Sequence, residues 1–138
     1  MRPLLLGIAA IGVAIVATAG VSFNAAGQGA KAPAKRAPTV SFREDIVPIF
    51  KGRCIDCHKS GGSGFEASGL DLSSYEGVMK GTKFGPMVIA GDADASNLMR
   101  LLDWRVDPKI RMPHGAKKLS VCDRDAMRRW IMEGAQNN

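Results

Sequence analysis

From Phe42 onward, apolar residues recur in the three-and-four spacing of amphipathic helices and not in the alternation of strands. Phe42, Ile46, Ile49 and Phe50 make the first stripe, and Ser41 with Glu44 forms an S-x-x-E capping box at its start. Pro48 predicts a kink, or a start nearer Asp45, because proline is tolerated only in the first helical turn. Ser73 or Ser74 can cap a short helix through Tyr75, Val78 and Met79 to about Lys80, with Gly81 as its stop. Ser96 can cap another, carrying Leu98, Leu101 and Leu102 and ending near Asp103 or Trp104. The clearest stripe is the last: Ser120 and Asp123 open it, Ala126, Met127, Trp130 and Ile131 line one face, and Gly134 ends it. The glycine-rich stretch from Lys59 to Gly69 reads as a loop, and the segment between Pro108 and Pro113 as irregular. No strand and no repeat stands out, so the expected fold class is all-α, a small helical domain with long loops. Its two strongest stripes, Phe42–Phe50 and Ser120–Gly134, each need a partner and are expected to cross near Trp130.

Upstream the pattern changes twice. Residues 1–23 open with Arg2 and continue as an uncharged apolar run from Leu4 to Phe23, with Ala17-Thr18-Ala19 as a small-x-small cleavage site. This reads as a secretory signal or, given its length, as an uncleaved N-terminal membrane anchor through residues 4–23. Either reading places the remainder of the chain in the periplasm. Residues 24–39, rich in Ala, Gly, Pro and Lys, read as a flexible linker, and residues 40–138 as one domain.

Charge changes the picture little. The chain carries 19 basic and 13 acidic residues, but Arg2, Lys31, Lys35 and Arg36 precede the domain, which is left with 15 basic residues facing all 13 acidic ones. A nearly balanced domain without interleaved aromatic and basic residues does not read as a nucleic-acid binder.

Candidate chemistry concentrates in Cys54-Ile55-Asp56-Cys57-His58. C-x-x-C-H is the pattern to which haem is covalently attached: two thiols three residues apart can each bond one porphyrin vinyl group, with the next residue under the iron. His58 is the expected proximal ligand, its second ring nitrogen donating to a backbone carbonyl. Two other readings compete. A thioredoxin-like C-x-x-C needs a preceding strand that the pattern lacks, and a Cys3His zinc set could be drawn from Cys54, Cys57, Cys122 and His114. Cys122, Ala126 and Trp130 follow one another at spacings of four, so Cys122 reads as a small buried apolar residue.

A six-coordinate electron-transfer haem needs a distal ligand, and a methionine thioether raises its potential. Met79, Met99, Met127 and Met132 fall within expected helices and read as core; Met87, beside Pro86, is a weak candidate. Met112, in Arg111-Met112-Pro113-His114-Gly115, lies on a non-helical loop and is the favoured ligand, with His114 its main competitor. Trp104, Arg105 and Arg111 precede it and are candidate partners for haem propionates.

The arrangement resembles a monohaem c-type cytochrome, specifically the planctomycete-type cytochrome c domain family. The matching residues are Ile46-Val47-Pro48-Ile49-Phe50 before the haem motif, Gly69-Leu70-Asp71-Leu72, Gly85-Pro86, Gly91-Asp92, Ser96-Asn97-Leu98, Met112-Pro113 and Trp130-Ile131-x-x-Gly134-Ala135. The resemblance implies a class I cytochrome c-like fold, one covalent haem c, and cofactor-binding residues Cys54, Cys57, His58 and Met112, with His58 and Met112 on the iron. The expected function is electron transfer between redox partner proteins rather than catalysis. A catalytic haem protein such as a peroxidase, and a haem-bearing sensor or structural subunit, are the alternatives.

Overall fold

In the computed structural model, which describes residues 39–138, the first amphipathic stripe opens as a single π-helical turn, Phe42–Ile46, and continues as α1, Val47–Arg53. The wider turn changes the cap. Glu44 N–H donates to Ser41 Oγ at 3.2 Å as the box requires, but the carboxylate accepting from Ser41 N–H, at 2.8 Å, belongs to Asp45 and not to Glu44. Pro48 sits in the first turn of α1, where its missing N–H costs nothing.

Four more α-helices follow among the described residues: α2, Ser63–Ser68; α3, Tyr75–Lys80; α4, Asn97–Leu102; and α5, Val121–Met132, with a 3-10 turn at Pro108–Ile110. The described residues form no strand, only isolated antiparallel bridges between Thr82 and Gly85 and between Ile89 and Asp92. The all-α expectation agrees with this architecture. The signal or anchor over residues 1–23, and the linker up to residue 38, lie outside the described residues; within them no helix is long and apolar enough to cross a membrane.

The expected crossing of the two strongest stripes is present. Phe42 meets Trp130 with ring centroids 5.3 Å apart and also stands edge-on to Tyr75 at 5.2 Å. Trp130 is fully buried, and its indole N–H donates to the Gln136 carbonyl at 2.9 Å. The first and last described segments are joined beside it: Glu133 accepts the Val40 N–H at 2.9 Å, and Asn138 Oδ1 accepts the Phe42 N–H at 2.8 Å.

Three local expectations are corrected. The 59–69 loop contains α2, whose ends are set by Gly62 and by Gly69 at φ +76°. Its first turn is secured by the Phe65 N–H on the Cys57 carbonyl at 2.9 Å, a tertiary bond that glycine content conceals. Ser96 precedes α4 as expected but makes no side-chain cap; its buried hydroxyl instead donates to the Asp92 carbonyl at 2.7 Å and accepts the Ile89 N–H at 2.9 Å. Cys122 is exposed, not buried, because it lies in the first turn of α5, before the stripe of Met127, Trp130 and Ile131 turns inward.

Candidate haem site

Past α1 the chain keeps turning through the haem motif. Cys54 and Ile55 N–H groups both reach the Phe50 carbonyl at 2.9 Å, and His58 N–H reaches the Cys54 carbonyl at 3.0 Å. These bonds hold both thiols and the imidazole on one short arc. The Leu72 N–H returns to the His58 carbonyl at 2.8 Å and ties that arc to the Leu70–Leu72 segment.

The arc forms part of the wall of a cavity of about 790 Å³, within the ~300–1,000 Å³ range of small-molecule and cofactor sites. Cys54, Cys57 and His58 line it together with Met112, Pro113 and His114 from the far segment. Most of the remaining wall is apolar, including Phe50, Leu70, Leu98, Leu102 and Leu119. The structure thus brings all four expected site residues to one cavity, and does so from segments 54 residues apart in the chain.

Both motif cysteines are free thiols. Burial raises the Cys54 thiol pKa to about 11, against the opposing effect of Arg53 and with a small further push from Cys57. Burial also lowers the His58 pKa, so the ring is held as the neutral imidazole that metal ligation uses, with the Leu70 backbone opposing the shift. The expected carbonyl partner for the second ring nitrogen is not engaged: His58 Nδ1 is buried and no acceptor meets it with hydrogen-bond geometry.

Gly64 stands against the other edge of the ring. A Cβ there would lie 2.8 Å from His58 Cε1 and 2.9 Å from Nε2, so glycine keeps the ring's outer edge clear. Gly62 is as constrained, since its Cβ would fall 2.5 Å from the Cys57 carbonyl oxygen. These two close approaches are the functional signal that glycine content alone does not disclose, since in sequence the same residues read as loop flexibility. The cleared ring edge, the paired thiols and the apolar wall suit a covalently held haem.

The competing ligand sets are separated by position. Among the described residues no group of three or more His, Cys, Asp or Glu is placed to hold a metal ion, so Cys54 and Cys57 are not gathered with His114 and Cys122 into a zinc set. Met79, Met99 and Met132 stay off the cavity wall, whereas Met87 and Met127 reach it as buried core residues. Met112 reaches it from a non-helical loop and is half-buried; His114 reaches it too and is otherwise exposed.

Nor do the expected propionate partners line the wall. Trp104 donates its indole N–H to the Met112 carbonyl at 2.9 Å, Arg105 pairs with Asp94 at 3.4 Å, and Arg111 lies over the Trp104 ring at 5.3 Å. The arginines on the wall are Arg53 and Arg100, which no sequence motif singles out. Asp103, at the end of α4, is shielded from solvent and draws in Arg124 at 2.8 Å as well as Arg128, fastening the start of the Met112 segment to α5.

No curated protein and no solved structure matches the chain. Residues 54–114, from the first thiol of the motif to the histidine beyond Met112, match the family model described as Planctomycete cytochrome C, the family that the motifs resemble.

Proposed function

We propose that the domain is a periplasmic electron-transfer module of class I cytochrome c-like arrangement, holding one haem c through Cys54 and Cys57 with His58 and Met112 as axial ligands. The observation that carries this reading is the cavity itself, where the two thiols, the imidazole and the loop thioether share one apolar wall. The bound haem supplies the one-electron couple of its iron. The protein's own part is to hold the ligand side chains still and to keep water away. Phe50, Leu98, Leu102 and Leu119 exclude solvent, and Gly64 leaves the imidazole edge free. Met112, a soft sulfur donor opposite the His58 imidazole, would favour the ferrous state and a high potential. Arg53 and Arg100, which line the cavity, are the arginines that would be available to the propionate charges. The redox partners are proteins, donor and acceptor alike, and the chain reaches the periplasm through residues 1–23, either cleaved or retained as a tether.

The test is the mass of the mature protein after acid-acetone extraction, read beside its absorption spectrum. A chain that keeps the mass of one haem supports the proposal; a chain that loses its haem, or carries zinc, rejects it. The same mass locates the mature N-terminus, because loss of residues 1–19 marks a cleaved signal and their retention marks a tether.

A further inference from the structure

Trp104 follows α4 with φ at +61°, in the left-handed region that a bulky residue adopts only when its surroundings hold it there. Those surroundings are specific. The indole N–H donates to the Met112 carbonyl at 2.9 Å, the Arg111 guanidinium lies 5.3 Å from the ring centroid, and the Lys118 ammonium lies 5.7 Å from it. Met112's own N–H donates to the Leu101 carbonyl at 3.3 Å, and the Trp104 N–H reaches the same oxygen at 3.2 Å. Met112 is therefore fastened on both of its peptide groups to the last turn of α4, once directly and once through the indole. Among the described residues, these two bonds are the hydrogen bonds that join residues 106–116 to the remainder of the domain.

We infer that Trp104 is a positioning residue for the distal ligand, its indole N–H and constrained backbone holding the Met112 loop against the cavity. The inference rests on Met112 being that ligand. The bonds around Trp104 stay within the Met112 loop and the end of α4, so losing the N–H acts on the loop before it acts on the fold. Two cations over the ring hold the indole in place while its N–H is engaged.

The experiment compares oxidised holoprotein of wild type, Trp104→Phe and Met112→Ala. It reads the near-infrared charge-transfer band of an iron–thioether bond, the imidazole concentration that halves that band, and the far-ultraviolet unfolding midpoint. Phenylalanine keeps an aromatic ring for the two cations and removes the donor together with one ring of the indole, which is why the unfolding midpoint is read alongside. Trp104→Phe is expected to keep the band but to yield it to roughly tenfold less imidazole, the fold-change that loss of one hydrogen bond supplies. An imidazole response within about twofold of wild type overturns the inference, as does a response that changes only in step with the unfolding midpoint. If Met112→Ala keeps the band, the ligand assignment itself fails and takes this inference with it, an outcome distinct from failure of Trp104→Phe alone. Hydrogen exchange in wild type gives a variant-free check, with the Trp130 indole as internal reference. The Trp104 indole N–H is expected to exchange faster once imidazole has displaced Met112, and an unchanged rate overturns the inference.

Discussion

Gly64 and His58 are in contact so close that a single methyl group between them would sit 2.8 Å from the imidazole. The same Cβ would lie 3.0 Å from the Cys57 carbonyl, so neither the ring nor the backbone leaves it a place. Gly64→Ala is expected to displace the imidazole and destabilise the holoprotein by about 1–3 kcal/mol, the usual range for overpacking. Guanidinium denaturation of the purified holoprotein measures the loss, and haem yield per chain should fall with it. An alanine variant with wild-type stability and wild-type haem content would mean that the ring does not depend on this glycine.

Met112→Ala is expected to abolish the iron–thioether band, lower the midpoint potential and admit added imidazole or cyanide without competition. Met87→Ala and His114→Ala should leave the band in place. The two methionines are separated by a second property: Met87 is 7% exposed and part of the core, so its truncation should cost about 2–5 kcal/mol of stability while sparing ligation. A wild type that lacks the band, and whose coordination changes in His114→Ala but not in Met112→Ala, would make the haem bis-histidine and move the search for partners to lower potentials.

Trp130→Ala is expected to cost about 3–5 kcal/mol, because the ring is fully buried against Phe42 and its N–H bonds the Gln136 carbonyl near the C-terminus. Thermal melting of the holoprotein reads this directly. An unchanged melting curve would contradict the crossing of the first and last helical segments.

Glu133 makes stability depend on acid in a predictable sense. The Thr39 hydroxyl, then the Val40 N–H, hold its carboxyl below the usual glutamate value. A folded-state pKa below the unfolded one means that the contribution is fully present above about pH 4.3 and is lost as pH falls through the depressed folded value. Unfolding midpoints of wild type should therefore drop more steeply in that acid range than those of Glu133→Gln. Parallel curves for the two proteins would show that the carboxylate does not join Thr39 and Val40 to the last helix in solution.

Much of this domain is legible without its fold, because some of its information is local. The thiols and imidazole of Cys54, Cys57 and His58 need only a three-residue spacing to serve one haem, so their chemistry is written in adjacent positions. The stripe of Met127, Trp130 and Ile131 is likewise a periodicity of one helix, and it forecasts both α5 and its meeting with Phe42. Tertiary structure decides whatever depends on a neighbour distant in sequence. Gly62 and Gly64 look like loop residues until the Cys57 carbonyl and the His58 ring are placed against them, at the start of the helix Ser63–Ser68. Arg105 and Arg111 look equivalent to Arg53 and Arg100 by composition, yet long flexible cations go wherever a carboxylate, a ring or a cavity edge is provided, and Asp94, Trp104 and the cavity wall divide them. Trp104 shows the division most plainly: its place before Met112 suggests a propionate partner, but the left-handed backbone and the bond to the Met112 carbonyl arise only when the end of α4 and the far loop are brought together.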